Sequence, residues 1–160
     1  MSPAFCRGPL LIGEKSMEIR NMVASDREAV LDMMRVFYAS PAVLSNGSEE
    51  IFQADVDACI SDSPYLEGYV MEENGKLLGY SMLAKSFSTE FGKPCIWIED
   101  LYLTEENRGK GIGTALLQFV AKKYPDAVLR LEAEEENENA IAVYYKNGFV
   151  EIPYMELIRK

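Results

Sequence analysis

The chain has 160 residues, 48% of them hydrophobic, with 16 basic and 26 acidic side chains and no histidine. That length supports one domain burying roughly two-thirds of its unfolded surface, and the net charge of −10 excludes a surface that binds nucleic acid or anionic membrane all over. Without histidine there is no Ser-His or Cys-His nucleophile pair and no histidine-ligated metal. Proton transfer falls to carboxylates, Tyr, Lys, Cys or water.

Residues 1–16 hold Pro9-Leu10-Leu11-Ile12 between Gly8 and Gly13, too short an apolar run for a signal peptide. They read as a disordered leader or an added extension, with the folded domain over 17–160. A short strand is expected at Glu18–Met22. Ser25-Asp26-Arg27-Glu28 then has the Ser-x-x-Glu form of a helix capping box, and Val30, Met33, Met34 and Phe37 follow at helical spacing. Ser40–Ser48 is a loop. Phe52, Val56, Cys59 and Ile60 mark a second amphipathic helix over Glu49–Ser61.

The middle is β. Gly68–Glu73 and Lys76–Phe87 flank Asn74-Gly75, a strong hairpin signal, and Cys95–Leu103 is a third strand of this group. A Gly-rich turn over Glu105–Gly113 opens a helix at Thr114–Tyr124, stopped by Pro125. A strand at Ala127–Ala133, a helix at Asn137–Asn147 ended by Gly148, and one or two strands in Phe149–Ile158 complete the chain. The fold class is α/β, a mixed and mostly antiparallel sheet of six to seven strands flanked by about four helices. No stretch approaches the ~20 apolar residues that span a bilayer. Cys6, Cys59 and Cys95 are too few and too far apart for a zinc site or a disulfide framework, so a reducing, cytoplasmic compartment is the expectation.

The turn is the informative segment. Alternate glycines opening a helix expose backbone N–H groups where the helix dipole favours an anion. Two phosphate motifs fail on residue identity: Gly113 is followed by Thr114-Ala115 rather than Lys-Ser/Thr, and Leu116 stands where a dinucleotide fingerprint needs Gly or Ala. Between Asn107 and Pro125 stand Arg108, Lys110, Lys122 and Lys123 with no acid, a basic island in an acidic chain. Arg108-x-x-Gly111-x-Gly113 resembles the pyrophosphate loop of the GNAT superfamily of acyl-CoA-dependent N-acetyltransferases. Asn137, Ala140, Tyr144, Gly148 and Phe149 resemble that family's second motif. The resemblance covers about Met17 to Lys160. It implies the acyl-CoA N-acyltransferase fold, acetyl-CoA as cosubstrate, an amine acceptor and no metal, nucleic-acid or membrane partner; homodimers are common in the family.

By the same resemblance, CoA would be held by Leu101, Tyr102, Leu103, Arg108, Gly109, Lys110, Gly111, Ile112, Gly113, Thr114 and Asn137, with the Leu101 and Leu103 backbone amides serving the pantetheine and thioester carbonyl. Ile98-Glu99-Asp100-Leu101-Tyr102-Leu103 looks most like the diamine (spermidine/spermine-type) acetyltransferases, where the glutamate is the proposed general base. On alternation Glu99 shares a face with Trp97, Leu101 and Leu103, an apolar setting that raises a carboxylate pKa. It could instead be a structural carboxylate pairing with Arg108. Asp100 points to the opposite face unless a bulge exchanges the two. Tyr144 stands at the family's general acid; its alternative is a core aromatic. Glu49, Glu50, Asp55, Asp57 and Asp62, with Glu132, Glu134, Glu135, Glu136 and Glu138, form two acidic groups in regions that border the acceptor pocket in relatives; they would steer a cationic acceptor, a small polyamine first, or are simply an acidic surface. A protein or peptide acetyltransferase and a non-catalytic acyl-CoA-binding module are the other readings.

Overall fold

The computed structural model describes residues 17–159; the leader expected at 1–16 lies outside the described residues, as does Cys6. β1 (Glu18–Asn21), β2 (Leu66–Glu73), β3 (Lys76–Ser88), β4 (Lys93–Leu103) and β5 (Val128–Leu131) form a five-stranded sheet in that order. The first four strands are antiparallel neighbours, and β5 joins β4 in parallel. α1 (Arg27–Tyr38) and α2 (Glu49–Ile60) cover one face. α3 (Ile112–Lys123) covers the other, with α4 (Glu138–Lys146) at its side.

The two faces own separate cores. Val30, Leu31 and Met34 of α1 and Val56 of α2 pack on Val70, Tyr80, Met82 and Tyr102 of the sheet. Leu116, Leu117 and Val120 of α3 pack on Tyr69, Met71, Leu83, Ile96 and Ile98. Side-chain alternation divides the strands between them. The β2–β3 hairpin turns where expected, with Asn74 and Gly75 at φ 54° and 77°, the positive pair that a two-residue turn requires.

Two expectations change. The anticipated Ser25/Glu28 box is displaced by one carboxylate: Asp26 accepts the Val23 N–H at 2.9 Å and a forked pair from Arg20 at 2.7 and 2.9 Å. Arg20 also donates to Glu72, so one guanidinium ties β1, β2 and the turn before α1 together and holds the Asp26 carboxyl below its usual range. The strands expected in Phe149–Ile158 do not form. The run is exposed, Leu157 at 84%, and β5 pairs on one side only, so the sheet has five strands rather than six or seven. Pro153 removes a ladder donor from the middle of the segment, whose hydrogen bonds include the Phe149 N–H to the Tyr144 carbonyl at 3.2 Å and the Tyr154 hydroxyl to Glu90 at 2.7 Å.

Candidate active site

β4 is the strand on which the site is built. Leu83 of β3 faces Ile98, but the next residue, Met82, faces Asp100. Glu99 is therefore the extra residue of a β-bulge, and such a bulge bends its strand. The parallel ladder to β5 ends at the same place, with the pair Ile98 and Leu131. Past Glu99 the two strands part, and the arm Leu101-Tyr102-Leu103 is left with one pairing edge. β3 holds this arm closely: a Cβ on Gly79 would lie 2.2 Å from the Tyr102 carbonyl oxygen, a contact only glycine permits.

A cleft of about 460 Å³ opens against the arm. Leu101, Tyr102 and Leu103 form one wall; Arg108, Gly109, Gly111, Ile112, Gly113 and Thr114 line one end; Asn137 and Tyr144 of the α4 segment close it opposite. The residues that sequence reasoning assigned to CoA thus meet in one cavity, with Lys110 the exception. Lys110 lies behind the loop, where its Nζ donates to Asn107 Oδ1 at 3.3 Å.

The loop has the build of an anion cradle. Gly109 and Gly111 adopt φ 71° and 82°, a left-handed backbone that side chains disfavour. The first hydrogen bond of α3 runs from the Ala115 N–H to the Gly111 carbonyl, 2.9 Å. The amides of Ile112, Gly113 and Thr114 before it have no intrahelical partner and carry the positive end of the helix dipole. A Cβ on Gly109, Gly111 or Gly113 would meet nothing within 4 Å, so space remains on the cleft side for a diphosphate. Arg108 is partly committed: its Nε donates to the Leu103 carbonyl at 3.1 Å and its guanidinium lies over the Tyr102 ring. It has no ion pair with Glu99 among the described residues. Lys122 and Lys123 sit at the far end of α3, about 15 Å along the axis. The basic island of the sequence is in space two separate pairs.

Beyond the bulge the charge reverses. The Glu99 carboxyl group is raised above its ordinary range, first by partial withdrawal from water, then by Glu156 and Asp55. Burial lifts Asp100 to about 6 against the lowering effect of two tyrosine hydroxyls, with Asp55 and Glu99 adding to the rise. Burial and a carboxyl–carboxyl hydrogen bond with Glu156 take Glu132 to about 7. Carboxylates from α2, β4, the end of β5 and the C-terminal segment thus face one another beyond the bulge. Glu99 does not line the cleft itself; it is exposed, and the bulge has removed it from simple alternation with Leu101 and Leu103. Tyr144 is half-buried, packs edge-on against Phe149 with ring centroids 6.1 Å apart, and is held protonated by burial. Tyr145 is exposed and donates to Glu151.

The family model described as the acetyltransferase (GNAT) family matches residues 30–149. The chain belongs to that family. It is an N-acetyltransferase by its relatives as well. It is 31% identical to the uncharacterized N-acetyltransferase YhfO of Bacillus subtilis, over 84% of this chain and 91% of that one. It is 26% identical to the peptidyl-lysine N-acetyltransferase YiaC of Escherichia coli (82% of each). It is 25% identical to the spermine/spermidine N(1)-acetyltransferase of B. subtilis (84% and 88%). In fold it is similar to a possible acetyltransferase from Clostridium difficile 630, with TM-score 0.76, 22% identity, and 90% and 97% of the two chains covered. GNAT acetyltransferases use acetyl-CoA, and the cleft's free amides, open glycines and slot against β4 fit that molecule's diphosphate and pantetheine arm.

Sequence reasoning missed the residues that come from distant elements. Phe37, Ser40, Pro41 and Ala42 line the cleft; nothing local distinguishes them from an ordinary helix end and loop. Asn139 and Ala140 also line it. Asn137 is the N-cap residue of α4 but makes no side-chain cap bond, which leaves its amide group available to the cleft.

Proposed function

We propose that the protein transfers an acetyl group from acetyl-CoA to a small cationic amine, a polyamine foremost, by direct attack with Glu99 as general base and Tyr144 as general acid. The observation that carries this reading is the meeting, at the point where β4 leaves β5, of an anion-binding cleft on one side and a carboxylate cluster on the other. Free alkyl amines are almost wholly protonated at neutral pH. Glu99 takes the proton, directly or through water, and its raised pKa improves it as a base. The neutral nitrogen attacks the thioester carbonyl carbon. The C–N bond forms as the carbonyl becomes an oxyanion bonded to backbone N–H of the β4 arm. Collapse breaks the C–S bond, the Tyr144 hydroxyl gives its proton to the departing thiolate, and the second proton of the acetylated nitrogen returns through water to the Tyr144 oxygen, leaving a neutral amide, the CoA thiol and a protonated Glu99. The buried thiols Cys59 and Cys95 agree with a cytoplasmic setting.

Release of CoA thiol, measured against polyamines, aminoglycosides, amino acids and basic peptides, tests the acceptor. Turnover is expected to be fastest with spermidine or a similar polyamine; turnover confined to peptides would move the acceptor to protein lysine. Glu99→Gln and Tyr144→Phe are each expected to slow turnover by more than about tenfold with acetyl-CoA affinity unchanged. Unchanged rates in both variants would remove the mechanism.

A further inference from the structure

Asp100 is a buried carboxylate with no cation beside it. It is 4% exposed, and no ion pair reaches it among the described residues. Its Oδ1 accepts from the Tyr38 hydroxyl at 2.9 Å and its Oδ2 from the Tyr80 hydroxyl at 2.8 Å. Its backbone carbonyl accepts from Ser81 Oγ at 2.7 Å. Asp55 and Cys59 of α2 and Glu99 of β4 are the other titratable groups that face it. Burying a carboxylate on two hydroxyl donors with no cation beside it is costly. What the carboxylate supplies is direction. Its two donors come from different elements, and they differ in what they carry.

Tyr80 belongs to β3 and binds Asp100 to its own sheet. Tyr38 is the last residue of α1, and the chain that leaves it forms the Ser40-Pro41-Ala42 wall of the cleft. The preceding residue, Phe37, lines the cleft and packs on Tyr102 at 5.8 Å between ring centroids. Asp100, for its part, opens the arm Leu101–Leu103, the facing wall. We infer that Asp100 is a positioning residue: its hydrogen bond from Tyr38 ties the α1 wall of the cleft to the β4 arm and so fixes the width of the acyl-CoA slot. The inference rests on the reading of the cleft as the acetyl-CoA site.

Tyr38→Phe and Tyr80→Phe separate a tie from mere packing, since each removes one hydroxyl from the same carboxylate. Binding of acetyl-CoA to the full-length protein by titration calorimetry, with thermal melting in parallel, is the measurement. Tyr38→Phe is expected to weaken acetyl-CoA about tenfold, one hydrogen bond's worth to a charged acceptor, with kcat at saturating acetyl-CoA within about threefold of the parent. Tyr80→Phe is expected to lower the melting temperature by about 5 °C and to change acetyl-CoA affinity by less than about twofold. Equal shifts in affinity for the two variants, or none in Tyr38→Phe, would overturn the tie. A parent protein that binds no acetyl-CoA overturns the reading of the cleft as well, so the two failures are told apart by the parent's own titration.

Discussion

The two ends of the proposed site are built on opposite principles. The CoA end is made of backbone: left-handed glycines, orphaned amides and a strand edge, with the side chains of Arg108 and Lys110 already bonded to their own neighbours. The acceptor end is made of side chains, carboxylates delivered by four separate segments onto one bulge. Backbone donors cost no side-chain entropy to hold in place and recognise a diphosphate whatever else varies. Carboxylates on separate elements can be exchanged singly, so specificity for the acceptor is the part free to change.

The largest effect expected from breaking this comparison is on the backbone side. Gly111→Val forces a β-branched residue into φ 82°, at a cost of about 2 kcal/mol or more. Acetyl-CoA affinity is expected to fall by about thirtyfold, read by calorimetry, with the preference among acceptor amines unaltered. A variant that bound acetyl-CoA normally would show that the loop conformation does not matter for the anion.

The acceptor side is expected to respond in charge rather than in geometry. Glu132→Gln removes a carboxyl group that is about half ionised at pH 7 and is expected to lower kcat/KM for spermidine by about twofold to fivefold, the range of a screened exposed charge. Raising the salt concentration should shrink that difference, and the KM for acetyl-CoA should stay put. A loss that salt does not reduce would mean that Glu132 acts by contact rather than by field.

These ends differ in legibility for the same physical reason. The loop lies within one stretch, Arg108 to Gly113, and its chemistry is a matter of local backbone, so residue types at fixed spacing reveal it. The bulge at Glu99 is a property of the register between β3 and β4; alternation along β4 alone put Glu99 with Leu101 and Leu103, and only pairing shows the extra residue. Asp100's partners Tyr38 and Tyr80 lie 62 and 20 positions away, beyond what any single-chain pattern registers. The Phe149–Ile158 run erred the other way. It has apolar residues enough for strands, but a strand exists only with a partner ladder, and β5 pairs with β4 alone.

Asp100 allows a pH test of how its burial is compensated. Its folded pKa of about 6 stands above the ordinary 3.8, so the folded state favours the protonated form. That contribution to stability is complete below about pH 4 and is lost as pH rises through about 6, on the order of 3 kcal/mol at most. Asp100→Asn abolishes the titration. Melting temperatures from pH 4.5 to 7.5 should therefore fall more steeply in the parent than in Asp100→Asn. Parallel curves would mean that Tyr38 and Tyr80 compensate the charge fully.

The smallest expected effect concerns charge that proximity in sequence misplaces. Lys122 and Lys123 follow the Gly-rich turn closely enough to seem part of one cationic site, yet α3 sets them about 15 Å from its N-terminus. That is more than a Debye length at physiological salt, which is about 8 Å, so their pull on a diphosphate at Gly111 is screened. Lys123 is occupied elsewhere, over the Tyr69 and Tyr124 rings and 3.9 Å from Glu67. Lys122→Ala and Lys123→Ala are each expected to change acetyl-CoA affinity by less than about twofold at physiological salt. Lys123→Ala should lower the melting temperature slightly, because Glu67 keeps Tyr69, Tyr124 and Lys85 as partners. A tenfold loss of affinity in either variant would mean that the long-range field of α3, and not the amides at its start, supplies the attraction for CoA.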